Sequence, residues 1–201
     1  ANLDYKLREE LREELPRLFA ASGAIFVYAT TEPSEALLLG GNTATLSQGR
    51  ITQFGPTIEV YRRPVDLNTA RTFADPPLNI IELTKRGGQF LRQDVEAFAV
   101  PAHLAHMADG PATIAFHPHH LALAPAAPGA QRVPVRTLIS EITGSESFIH
   151  VDFAGVRWVM LEHGIHDIEP DRAIDIYLDT RHLMAFGPDG AAIAAAPAAA
   201  A

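Results

Sequence analysis

Eight short runs of strand-forming residues follow one another between residues 80 and 186, and this repetition constrains the fold more than any other feature of the chain. Glycine and proline separate the runs, and many short strands with frequent turns are typical of a small β-barrel or sandwich. We expect the single tryptophan, Trp158, to pack in its core. The runs are Ile80–Leu83, Ala97–Val100, Thr113–Phe116, Val133–Thr143, Ser147–Phe153, Arg157–Leu161, Ile174–Leu178 and His182–Phe186.

The first 74 residues have a different pattern. Leucines at helical spacing predict an amphipathic helix over residues 4–21, and the short apolar run 24–30 predicts a buried strand. Alternation of helices and strands is typical of an α/β unit. A helix from Glu32, a hairpin and two short helical pieces are predicted to follow, the last three over Thr43–Ser47 with Ile51–Phe54, Thr57–Arg62 and Asn68–Phe73.

Charge and histidine content change near Asp75–Pro76–Pro77, which we interpret as a domain boundary. Residues 1–74 carry 8 Lys/Arg and 9 Asp/Glu, whereas residues 75–201 carry 8 and 15, together with all nine histidines. Two domains, 1–74 and 75–190, are therefore predicted, followed by a flexible alanine-rich tail over 191–201. An acidic second unit is a poor partner for phosphate backbones, so we expect no nucleic-acid binding.

The 201-residue chain contains no cysteine, which excludes disulfides, thiolate nucleophiles and Cys-type zinc sites. No basic-then-apolar leader opens it, and no apolar run approaches the roughly 20 residues that cross a bilayer. These features favour a cytosolic protein. An opening Ala1 in place of methionine favours a fragment.

Six short segments of the first 79 residues follow one another in a recognisable order. They are Ala1–Asp4, Ile25–Thr30, Glu35–Ala36, Gly49–Gly55, Glu59–Pro64 and Phe73–Asn79. This order resembles the ATP-binding subunits of sugar and glycerol-phosphate ABC importers, the maltose-importer-like group. The resemblance implies a fold of class α/β plus all-β. It would comprise the C-terminal end of a RecA-like P-loop ATPase domain and an OB-like (TOBE) barrel regulatory domain.

In such a subunit, Ala1, Asn2, Leu3 and Asp4 match the D-loop, which follows the catalytic glutamate. The chain contains no G-x-x-x-x-G-K-[ST] loop, no signature motif and no acidic strand ending in that glutamate. Phosphoryl transfer needs Mg²⁺, a lysine and a positioned water. We therefore expect this chain alone to bind no cofactor and to hydrolyse no ATP, while the intact parent would use ATP and Mg²⁺.

The family places a switch histidine, which contacts the γ-phosphate, directly after the strand-ending threonine. Here Thr31 occupies that position, after Thr30. A threonine hydroxyl can donate one hydrogen bond but has neither the reach nor the shared proton of an imidazole. Ala1 also stands where the D-loop often carries a hydroxyl. We therefore predict that the parent's own ATP site is impaired and that the parent is one half of an asymmetric pair.

The histidines of the second part suggest a metal-binding site as one hypothesis. His117, His119 and His120, with His103 and His106, could supply nitrogen ligands, although no Asp, Glu or Cys completes a known ligand spacing. We favour a polar turn after the strand Thr113–Phe116 and predict no metal site. Histidines with ordinary pKa values near 6.5 could also act as a pH sensor, which is the less favoured interpretation.

Three functions stay open at this stage. The first is a fragment of an importer ATPase that couples ATP hydrolysis to uptake of a carbohydrate, polyol or glycerol-phosphate-like solute. Its partners would be a second ATPase subunit and transmembrane permease subunits, at the inner face of the cell membrane. The alternatives are a small-ligand-binding barrel and a dimerising regulatory barrel, both without enzymatic activity. Because the first 74 residues would be only the end of a larger sheet, we expect them to leave apolar surface exposed.

Overall fold

The structure, a computed structural model, describes residues 14–19, 21–126 and 128–194. Its helices are α1 (Pro33–Leu39), α2 (Thr57–Arg62) and α3 (Leu67–Thr72), and residues 14–19 and 21–22 are also helical. Short 3₁₀ turns occupy Ala102–Leu104, Pro118–His120 and Thr180–His182. The strands are β1 (Asn42–Ser47), β2 (Arg50–Pro56), β3 (Asn79–Arg86), β4 (Gln89–Arg92), β5 (Val95–Ala99), β6 (Gly110–Phe116), β7 (Leu121–Ala122), β8 (Gln131–Ile142), β9 (Glu146–Phe153), β10 (Val156–His163), β11 (Ala173–Leu178), β12 (Met184–Phe186) and β13 (Ala192–Ala194).

Strands β3 to β13 form two antiparallel sheets that face each other. The six-stranded sheet has the order β13-β12-β6-β3-β4-β5, and the five-stranded sheet has the order β10-β9-β8-β11-β7. Buried and partly exposed residues alternate along β9, as expected for a strand with one face on a core. The nearly closed, barrel-like arrangement is compatible with an OB-like domain, so the predicted mostly-β architecture is confirmed at this level.

All eight predicted runs overlap strands, but three strands were not predicted. They are the short β4 and β7 and the terminal β13. The last predicted run also begins too early, because the Asp179 side chain accepts a hydrogen bond from Arg181 N and starts a 3₁₀ turn over Thr180–His182. The polypeptide becomes a strand only at Met184.

The core of the barrel is built around Trp158, which is fully buried as predicted. Its ring stacks on Phe153 at 4.4 Å between centroids and meets Phe116 edge-on at 5.0 Å. Both geometries are favourable for aromatic pairs. Buried aliphatic side chains from both sheets, including Ile149 and Ile176, complete the same cluster.

Two side-chain amides join the sheets, and each links an inner strand of one sheet to an edge strand of the other. Asn79, at the start of β3, donates from Nδ2 to the Val159 carbonyl and accepts from Val159 N, both at 2.7 Å. Gln131, at the start of β8, accepts from Ala99 N at 2.7 Å and donates to the Ala99 carbonyl at 3.1 Å. Each amide thus replaces a pair of ladder hydrogen bonds and satisfies strand-edge groups that would otherwise lack partners.

The region up to residue 72 contains the predicted helix, hairpin and two short helices. Strands β1 and β2 pair around Gln48 and Gly49, whose φ values of 49° and 75° are those that a tight type I′ hairpin turn requires. Buried threonine hydroxyls connect this hairpin to α3, since Thr69 Oγ1 donates to Thr52 Oγ1 at 2.9 Å. Thr45 Oγ1 lies 2.8 Å from the same Thr52 oxygen.

The predicted strand over residues 24–30 is absent, and this prediction was wrong for the chain as it stands. The segment pairs with no strand among the described residues, and Ile25 and Val27 are 96% and 94% exposed. A buried parallel-type strand needs neighbours on both edges to satisfy its backbone. The expectation of exposed apolar surface in this region is confirmed, with Phe54 of β2 also 67% exposed.

Contacts cross the predicted boundary at residue 75. Ala70 of α3 packs with Ala115, Met184 and Phe186 in a second small apolar cluster. Leu67 N donates to the Gly190 carbonyl, and Ala192 N donates to the Val65 carbonyl. Residues 192–194, assigned by sequence to a flexible tail, form β13 because their backbone finds hydrogen-bonding partners on β12.

No helix within the described ranges is long and apolar enough to span a membrane.

A buried lysine of strand β3 forms an ion pair with a single carboxylate. Lys85 is 5% exposed, and its Nζ lies 2.8 Å from Asp109 Oδ1. Asp109 Oδ2 accepts a second hydrogen bond from Gly87 N at 2.9 Å. The side-chain hydrogen bond from Lys85, followed by the backbone bond from Gly87, lowers the pKa of the Asp109 carboxyl below its ordinary value.

We predict that Asn79→Ala lowers the free energy of unfolding by about 2–3 kcal/mol, because two hydrogen bonds are lost and the Val159 backbone is left unpaired. Urea titration followed by fluorescence of the single tryptophan, Trp158, measures the change. Asn68→Ala is the control, since its side chain makes no hydrogen bond within the described part of the chain. A loss no larger than that of the control would contradict the role of Asn79.

We also predict that Asp109→Asn destabilises the chain at pH 7 and flattens its acid dependence. A carboxyl whose pKa is lower in the folded state contributes stability above its unfolded pKa, and this is lost as pH falls through the folded pKa. Unfolding curves between pH 7 and pH 2 test the prediction. Asp94→Asn is the control, because Asp94 is 83% exposed in its 3.3 Å pair with Arg86. Parallel pH profiles for Asp109→Asn and the parent sequence would refute it.

Candidate functional site

The predicted switch position lies on an exposed bend between the extended segment and helix α1. Thr31 is exposed, and α1 begins two residues later with Pro33 in its first turn. Glu35, which is buried, accepts hydrogen bonds from Tyr28 Oη and Thr30 Oγ1. Thr30 Oγ1 in turn accepts from Glu32 N at 2.9 Å. These local bonds orient the backbone on both sides of Thr31 although the segment has no sheet partner among the described residues.

Helix α1 is held against the hairpin and α2 by the hydroxyl of Thr57. This oxygen lies 2.8 Å from Thr43 Oγ1 and donates to the carbonyls of Gly40 and Gly41 at the end of the helix. Carbonyls at a helix end have no partner within the helix, so an outside donor stabilises them. The bend at Thr31 is thereby connected through α1 to the first turn of α2.

The D-loop residues that the sequence predicted, Ala1, Asn2, Leu3 and Asp4, lie outside the described residues. Their role therefore stays a prediction.

Four histidine rings and one tyrosine ring meet where α2 approaches the barrel. Tyr61 of α2 lies 5.2 Å from His117, and His117 stacks on His119 at 5.2 Å and 15°. His119 meets His120 edge-on at 4.3 Å, and His120 stacks on His182 at 4.3 Å and 13°. We call these five residues the ring row. It joins α2 to two 3₁₀ turns of the barrel.

The ring row favours neutral imidazoles. Burial, followed by the charges of His119 and His182, lowers the pKa of His117 to about 4. Burial, followed by the neighbouring histidines, lowers the pKa of His120 to about 2, and burial also lowers the pKa of His119. His120 Nδ1 is buried with no hydrogen-bonding partner in the described part of the chain.

The row differs from the metal cluster considered from sequence. His182 joins it, whereas His103 Nε2 lies 2.9 Å from the Leu183 carbonyl oxygen, and within the described part of the chain His106 makes no ring contact with the row. Stacked rings present their faces to one another rather than converging their nitrogens on one point, as a zinc ion requires. Over the described ranges, no group of three or more His, Asp or Glu side chains is arranged to hold a metal ion.

The similarity to known proteins extends over most of the chain. It is 34% identical over 152 residues to the sn-glycerol-3-phosphate import ATP-binding protein of Rhizobium meliloti, covering 75% of this chain and 41% of the relative. The corresponding protein of Cupriavidus necator is 30% identical over 200 residues, covering 94% and 54%. The chain belongs to the family of ATP-binding subunits of sugar and glycerol-phosphate ABC importers.

Within this importer family, the chain corresponds to the C-terminal part of the subunit. It spans about half the length of the curated relatives it matches. The xylose/arabinose import ATP-binding protein of Haloferax volcanii is 28% identical over 155 residues, covering 76% of the chain and 40% of that protein. No family model matches the chain.

Sequence reasoning did not find two features of this region. Glu35 was noted only as part of a family segment, and its bonds to Tyr28 and Thr30 depend on how α1 folds back on the preceding residues. His182 carried no local signal that it meets His120, because that contact crosses from β6 to the turn after β11. Alternating histidines after Thr113–Phe116 did indicate a polar turn, and Pro118–His120 is that turn.

Proposed function

We propose that this chain is the C-terminal half of the ATP-binding subunit of an ABC importer. In the intact protein it would help to couple ATP hydrolysis to uptake of a carbohydrate, polyol or glycerol-phosphate-like solute. The observation that carries the proposal is the match to import ATP-binding proteins along 75–94% of the chain. This chain contains no phosphate-binding loop, so it would not bind ATP by itself. ATP and Mg²⁺ would bind only to the intact subunit, whose other half would supply that loop.

Residues 1–74 would be the end of a RecA-like ATPase domain. Exposed Ile25 and Val27 support this proposal, because such a segment would be buried as a strand inside a larger parallel sheet. The exposed side chains of Leu46, Ile51 and Phe54 on the hairpin would be covered in the same way. Residues 75–190 would be the barrel that this family appends to its motor.

The intact subunit would act at the inner face of the cell membrane, on the cytoplasmic side. Its partners would be a second ATPase subunit and the transmembrane permease subunits. The barrel would serve as a regulatory and dimerising domain in that complex.

Thr31 would occupy the switch-histidine position of the motor, with Asp4 in the D-loop. Its exposed position on the bend, next to a Thr30 hydroxyl that donates to Glu35 and accepts from Glu32 N, supports a role facing a ligand outside this half of the chain. A threonine there would contact a phosphate without exchanging a proton with the attacking water. The subunit would therefore be the weaker partner in hydrolysis.

We predict that Thr31→His in the intact subunit raises ATP hydrolysis by at least about tenfold, since a positioned proton-transfer group contributes roughly 10²–10⁴-fold. Phosphate release by the purified subunit, without a companion ATPase, measures the rate. Thr72→His, on the exposed end of α3, is the matched control. Unmodified subunit that already hydrolyses ATP as fast as Thr31→His would overturn the impaired site.

A further inference from the structure

The ring row is the strongest unexplained feature of the molecule, because nothing in the importer function calls for four histidines packed in series. It bridges three elements that are distant in sequence, namely α2, Pro118–His120 and Thr180–His182. Tyr61 of α2 also contacts Phe73 at 6.1 Å, so the row continues into the segment that leads to the barrel. The contact between α2 and the barrel turn at residue 117 is therefore made by rings that can acquire charge.

Neutral and charged forms of these rings have opposite effects on the contact. Neutral imidazoles stack at 4.3–5.2 Å and bury their faces. Imidazolium rings at the same separations repel one another, and burial deprives them of water. His120 adds a buried Nδ1 that has no acceptor in the described residues if it gains a proton.

The charged groups around the row give little compensation. Asp179 Oδ2 lies 3.6 Å from His182 Nε2, but Arg181 engages both oxygens of that carboxylate at 2.9 and 2.7 Å. Hydrogen bonding from Arg181 lowers the pKa of Asp179, so the pair stays ionised as pH falls. The remaining charged neighbours are Asp75, which lines a small cavity with His117 and His119, and Arg62 beside Tyr61.

We propose that the ring row is a proton-operated joint between α2 and the barrel. The joint is closed while its imidazoles are neutral. Uptake of protons by several rings separates them and releases α2 from the barrel turn, while the barrel core stays folded. The depressed pKa values of His117, His119 and His120 are consistent with this, since they express how strongly the closed packing excludes protons.

Release of the joint would reach helix α1 and the bend at Thr31. A cavity of about 100 Å³ separates His117 and His119 from Pro33, Ser34 and Leu37 of α1. The Thr57 hydroxyl of α2 holds the end of α1, so movement of α2 would move α1. Because α1 begins two residues after Thr31, the bend would move as well. Only this last step rests on the proposed function, in which Thr31 occupies the switch position.

Nuclear magnetic resonance of the 201-residue chain between pH 7.5 and pH 4 tests the joint directly. Imidazole signals report proton uptake, Tyr61 ring signals and α2 amides report release, and the Trp158 indole reports the core. We expect the His117 ring and Tyr61 to change together, with a midpoint at least about one unit below 6.5 and a slope of more than one proton. The Trp158 indole should keep its folded signal over this transition.

Three variants sharpen the test. His117→Phe keeps an aromatic ring but takes up no proton, so Tyr61 should keep its closed-state signals to lower pH. His119→Gln removes one proton site from the row and should reduce the slope toward one even if His117→Phe does not fold. His163→Gln is the matched control, because this histidine is 92% exposed and lies outside the row, and it should leave the transition unchanged.

Two results would overturn the joint. If the Tyr61 signals stay unchanged while the histidines titrate separately near pH 6.5, the rings are not coupled and the proposal is wrong. Loss of the Trp158 indole signal at the same pH as Tyr61 release would show general acid unfolding instead. Neither readout involves ATP, so failure of the joint is distinguishable from failure of the proposed importer function.

Discussion

Two side-chain amides hold the barrel closed, and the rest of the structure depends on that closure. Asn79 and Gln131 each offer one donor and one acceptor to a single residue of the facing sheet. A side-chain amide reproduces the hydrogen-bonding pattern of a strand neighbour without requiring another strand. Edge groups of β10 and β5 are satisfied in this way, and the two sheets can enclose the aromatic cluster around Trp158.

The two parts of the chain differ in how far their apolar side chains are buried. The barrel buries a large cluster of apolar side chains from both sheets, whereas the region before residue 65 leaves Ile25, Val27 and Phe54 exposed. Polar contacts contribute to the order of that region, since the Thr57 hydroxyl bonds the end of α1 and the Thr69 hydroxyl connects the hairpin to α3. Such a balance is expected of a segment that completes a larger domain, which agrees with a chain half as long as its relatives.

Helix α1 connects the two candidate sites. Its first turn carries Glu35, which accepts a hydrogen bond from the hydroxyl of Thr30 next to Thr31, and its side lines the cavity next to His117. A change in the packing of the ring row therefore has a short mechanical route to the bend, through one seven-residue helix. In the proposed importer subunit this route would link the barrel to the motor at the position where the family uses a histidine.

The amino-acid sequence alone predicts the hairpin, the short helices, most barrel strands, the burial of Trp158 and the family. These depend on local periodicity, turn residues and an ordered set of segments. Three features depend on tertiary contacts: residues 24–30 join no sheet among the described residues, Asn79 and Gln131 close the barrel, and His182 completes the ring row. A strand needs a neighbour, and an amide or an imidazole acquires its role from groups distant in sequence, so no local pattern contains that information.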